Sequence, residues 1–83
     1  MSEKPKEDRV REGITILQKL KEVGIPTTDA GFQEIQQLVS EWVKTGTAVT
    51  KTVPFARVDR AAEITLPRRK TAIATCVLRM VSA

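Results

Sequence analysis

Arg68-Arg69-Lys70 is the densest group of like charges in this 83-residue chain. The three cations sit between two segments that read as β-strands, which predicts a basic hairpin tip. Guanidinium and ammonium groups at such a tip suit a phosphate backbone, and each phosphate neutralised would make binding steeply salt-dependent. Arg57 and Arg60 are expected at the opposite end of the same sheet, with Lys51 on the strand before them. The plainer account is a solvated turn whose charges keep a small protein soluble and discourage strands from pairing at the edge.

Other chemistry is poorly provided for. The chain has no His, so the commonest general base and the commonest metal ligand are both missing. A single Cys, Cys76, cannot form an intramolecular disulfide or a multi-thiolate metal site, and it reads as a small apolar residue of a strand. Asp59 and Glu63 could form a carboxylate pair, but turn chemistry and surface charge explain them more simply. No phosphate-binding glycine loop, metal-ligand spacing or nucleophile elbow is present. The expectation is a non-catalytic protein without a cofactor, a metal or a small-molecule substrate.

The net charge of +4 hides a division. Residues 1–43 carry six cations and eight anions, a net of −2, whereas residues 44–83 carry eight cations and two anions, a net of +6. The positive excess therefore belongs to the second half. The longest apolar run, Ala72 to Leu78, is far short of the ~20 residues of a membrane span. Met1–Asp8 lacks the apolar segment of a secretory signal. A reducing intracellular setting is the expectation.

Periodicity shows which elements must carry these groups. Residues 1–8 are almost all charged or small and read as a flexible tail or a loose first turn, leaving 9–83 as one domain. Val10, Ile14 and Leu17 form one helical row, and Ile16, Leu20 and Val23 a second beside it, a face wide enough for two neighbours. Gly13 weakens this helix by about 1 kcal/mol relative to Ala. Gly24-Ile25-Pro26 ends it, and Thr27, Thr28 and Asp29 are all fit to cap the next. The second helix carries Phe32, Ile35, Leu38, Val39, Trp42 and Val43 on one face and stops at Gly46. Trp42 falls within that stripe and is expected in the core.

Beyond Gly46 the texture becomes β. Val49, Lys51, Val53 and Phe55 alternate with Ala48, Thr50 and Thr52, and Pro54 belongs at a sheet edge or strand end. Arg57-Val58-Asp59-Arg60 reads as a turn. Ala62, Ile64 and Leu66 form a second strand, and Ala72–Val81 a longer third. The expected fold is α+β, a two-helix hairpin followed by a three-stranded antiparallel β-meander.

A helical pair followed by a basic hairpin resembles a winged-helix arrangement in outline. That resemblance implies a DNA-reading second helix, yet its outward residues are Gln33, Glu34, Gln36, Gln37, Ser40, Glu41 and Lys44, and acids there repel phosphate. DNA or RNA would therefore be met by the sheet face or the hairpin tips. A different reading is a structural subunit, self-associating or docked in an assembly, through the wide face of the first helix or through a strand edge. The end of the third strand, Val77-Leu78-Arg79-Met80-Val81, outruns the second strand and is expected to have little to pair with inside the chain.

Overall fold

The computed structural model describes residues 6–68 and 77–82. Helix α1 spans Lys6–Glu22 and α2 spans Ala30–Thr45, followed by strands β1 (Val49–Pro54), β2 (Arg60–Leu66) and β3 (Val77–Ser82). The sheet is antiparallel in the order β1-β2-β3, so the expected ααβββ meander is the fold observed.

Each helix ends where its chemistry dictates. At the end of α1, Gly24 takes φ +92°, which lets its N–H reach the Lys21 carbonyl and the Ile25 N–H reach that of Leu20. This is the paired-bond C-terminal motif that a left-handed residue permits. Gly46 closes α2 in the same left-handed region, its N–H donating to the Trp42 carbonyl at 2.7 Å. Of the three candidate caps for α2, Asp29 is the one used.

Residues paired across antiparallel strands share a face, so the register sorts the sheet. Val49, Lys51 and Val53 pair with Leu66, Ile64 and Ala62, and Leu78 and Met80 pair with Ile64 and Ala62. This face meets the helices. Its Val53, Ala62, Ile64, Leu66 and Leu78 join Phe32, Ile35, Val39 and Trp42 of α2 and Ile16 and Leu20 of α1 in one core. Ile16 and Leu78 line a common cleft, which sets α1 over β3, while α2 contacts β1.

The first helix begins at Lys6, so the end of the charged stretch is its first turn, one of the two readings of residues 1–8. One expectation changes: the two apolar rows of this helix differ in fate. Ile16 and Leu20 are buried, but Val10 and Ile14 are 41% and 51% exposed and Val23 is 45% exposed. A helix in a two-layer hairpin meets its neighbours along one stripe only, and that stripe is completed by Gly13 and Arg9. At Gly13 a β-carbon would stand 2.6 Å from Val39 Cγ1, so the glycine permits close helix approach. Arg9 donates from Nε and Nη2 to the Val43 carbonyl at 3.2 and 2.9 Å, supplying a cation and donors to the negative end of α2.

Candidate nucleic-acid interface

The cations of the second half do not gather on one surface. The open face of the sheet carries Thr50, Thr52 and Pro54 on β1, Ala61, Glu63 and Thr65 on β2, and Val77, Arg79 and Val81 on β3. Arg79 is its one cation among the described residues, and Arg79 Nε lies 3.6 Å from Oε1 of Glu63, its cross-strand partner. Among the described residues the open face of the sheet therefore offers no cluster of cations: strand alternation sends Lys51 to the helix side, where its ammonium pairs with the Glu34 carboxylate of α2.

Arg57 and Arg60 are exposed at the β1–β2 loop, and Arg68 is exposed beyond the far end of β2. A seven-residue strand separates the two groups by about 20 Å. Arg69, Lys70 and Cys76, with the expected strand residues 72–76, lie outside the described residues.

The placement of Arg68 depends on a contact that sequence reading did not find. Trp42 is buried, as its spacing implies, and its indole N–H donates to the Pro67 carbonyl at 2.8 Å. This bond pins the chain leaving β2 against the last turns of α2. Arg68, next after Pro67, is thereby held at the end of the molecule where α2 finishes; Lys44, two residues past Trp42, lies at that end on the side lining the cleft with α1, and both are exposed. The only hint in the sequence was the general need of a buried indole for an acceptor. Replacing Trp42 with Phe should cost about 1–2 kcal/mol, since it leaves a buried carbonyl without its donor. Amide hydrogen exchange should show the loss, with faster exchange at Leu66 and Arg68 than at core positions of α2.

The opposite end is organised by Asp29. Oδ1 accepts from the N–H of Gly31 at 2.8 Å and of Ala56 at 3.0 Å, and Oδ2 from the N–H of Arg57 at 2.8 Å. The side chain is 1% exposed. Burial raises its pKa, but the three backbone donors and the nearby Arg57 guanidinium outweigh that, and the carboxyl titrates below 3.8. One carboxylate thus caps α2 and fixes the loop that presents Arg57. A threonine at this position has one oxygen and could not serve both segments.

The strand expected to be left over is paired. Residues 77–82 of β3 match β2 from Thr65 to Arg60 without a gap. Val77, Leu78, Arg79, Met80 and Val81 were expected to lack an internal partner because β2 reads as short; β2 in fact runs seven residues, starting at Arg60. β3 remains the last strand of the sheet order, so its outer side is an edge.

No helix among the described residues is long and apolar enough to cross a membrane. Comparison of the chain with family models, with curated proteins and with solved structures finds no match.

Proposed function

We propose that this protein is a non-catalytic module that binds nucleic acid through the phosphate backbone. Its interface centres on Arg68-Arg69-Lys70 and is joined by Lys44. The observation that carries this reading is the Trp42–Pro67 hydrogen bond, which holds the start of the basic run beside the lysine-bearing end of α2. Glu41 on the same helix tempers the charge there, so contact falls to the arginines first. Arg57 and Arg60 take part only on ligands long enough to span the sheet, and Lys51 adds little because Glu34 already neutralises it.

Titration of labelled duplex and single-stranded oligonucleotides across a salt series tests the reading. Wild-type affinity should fall steeply with salt, and the Arg68/Arg69/Lys70→Ala variant should reduce the slope of log K against log salt by about 2–3. Lys44→Ala should reduce it by about 1, and Lys51→Ala should leave it unchanged. Equal binding by the wild type and the triple variant, or no binding by either at low salt, rejects the proposal.

A further inference from the structure

Val10 and Ile14 are the exposed large apolar residues of α1 that lie beside α2. With the half-buried Leu17 they rim a cleft of about 400 Å³ between the helices, floored by Gly13 and walled by Val39 and Val43. Glu7, Val10, Ile14, Leu17 and Lys21 repeat with the three-four spacing of a heptad seam, which places all five on one stripe of the helix. An apolar centre with an acid at one end and a base at the other is a pattern that complements itself.

We propose that this stripe is the interface of a two-fold homodimer, in which α1 of one copy packs antiparallel on α1 of another with Ile14 at the axis. Glu7 and Lys21 each lie two helical turns from Ile14, in opposite directions. Antiparallel pairing about Ile14 therefore sets each Glu7 opposite the second copy's Lys21, twice over. Both side chains are exposed and able to meet. The α2 helices, lying alongside, complete a four-helix bundle whose shallow crossing keeps residues two turns from the axis within side-chain reach.

Charge selects this arrangement over its neighbours. Parallel pairing would set Glu7 against Glu7 and Lys21 against Lys21. An antiparallel register moved to centre between Ile14 and Leu17 would lay the Lys21 ammonium on Val10. A two-fold axis also requires one patch to serve both copies, which a seam symmetric about Ile14 does. The cleft between the helices, with Val39 and Val43 along its wall, gives the incoming Ile14 a place to pack. This inference does not depend on Arg68-Arg69-Lys70; Lys44 lines the same cleft, so the bundle would cover it in part.

Sedimentation equilibrium on the full chain, up to millimolar concentration, tests it, with far-UV circular dichroism to verify folding of each variant. The wild type should dimerise, and Ile14→Glu, at a half-exposed position, should remain folded and weaken dimerisation at least tenfold. Glu7→Lys and Lys21→Glu should each weaken it about threefold to tenfold, as for exposed ion pairs lost in duplicate. Mixed in equal amounts, those two variants should form a heterodimer at least as tight as the wild type, since every pair across the seam is then complementary. A wild type that stays monomeric, a dimer indifferent to Ile14→Glu, or single charge variants that dimerise like the wild type and gain nothing on mixing would each overturn the proposal.

Discussion

Replacing Asp29 with Ala should destabilise the protein by about 3 kcal/mol, measured by urea unfolding. The loss has two parts. Removing an Asp N-cap costs about 1 kcal/mol. The N–H groups of Ala56 and Arg57 lose a charged acceptor as well, and bonds to charged groups contribute about 1.5–3 kcal/mol each when well shielded, less here because the loop is partly open to water. For a domain this small the loss is a large share of the total. Asp29→Asn should fall between wild type and Asp29→Ala, since the amide keeps one acceptor oxygen but turns N–H donors toward a backbone N–H.

The same carboxylate makes a pH prediction whose sign follows from its depressed pKa. A group that ionises more readily in the folded state stabilises the fold fully above its unfolded pKa, near 3.8. That contribution is lost as pH falls through the still lower folded value. The stability difference between wild type and Asp29→Asn should therefore be constant from pH 7 to about 5 and shrink below about 4. A difference that stays level through pH 3 would mean the carboxylate is not bound as described.

Gly31→Ala should also destabilise, by about 2 kcal/mol or more, although helix propensity alone favours Ala by about 1 kcal/mol. Gly31 lies in the first turn of α2, under the end of β1. A β-carbon there would stand 2.5 Å from the Pro54 carbonyl oxygen, 2.7 Å from Phe55 Cδ1 and 3.2 Å from Phe55 Cα. Two of these atoms are backbone, so a rotamer change cannot relieve the overlap and the β1–β2 loop must lift. Lifting it draws Ala56 and Arg57 away from Asp29. The two substitutions should therefore be non-additive, with Gly31→Ala costing less in an Asp29→Asn background than alone. Chemical denaturation of the two single variants and the double variant measures that coupling, and strict additivity would show that the loop does not move as a unit.

Much of the architecture was readable because local rules point one way. The stripe from Phe32 to Trp42, the stop at Gly46 and the alternation of Ala62, Ile64 and Leu66 each follow from a period the backbone imposes. They were also right about burial. The errors fell where a pattern was locally correct but its partner lay far along the chain. The row of Val10 and Ile14 is as apolar as that of Ile16 and Leu20, and only the position of α2 and β3 decides which is covered. Thr27, Thr28 and Asp29 are equivalent caps to a local rule. Asp29 is distinguished by N–H groups 27 and 28 residues away.

The basic candidate site divides in the same way. That the positive charge belongs to residues 44–83 is a property of composition and needs no coordinates. The alternation of β1 implies that Lys51 shares a face with Val49 and Val53, but its neutralisation requires Glu34 to lie across from it. That Arg68 leaves the sheet beside the end of α2 depends on one hydrogen bond between Trp42 and Pro67, 25 residues apart. The sequence by itself determined the elements, their order and the sign of the charge on each half, because helix and strand periods and capping are short-range effects. The tertiary structure alone decided which apolar row is buried, which cations are spent on internal pairs and which exposed cations share an end, because those outcomes depend on groups that only folding brings together.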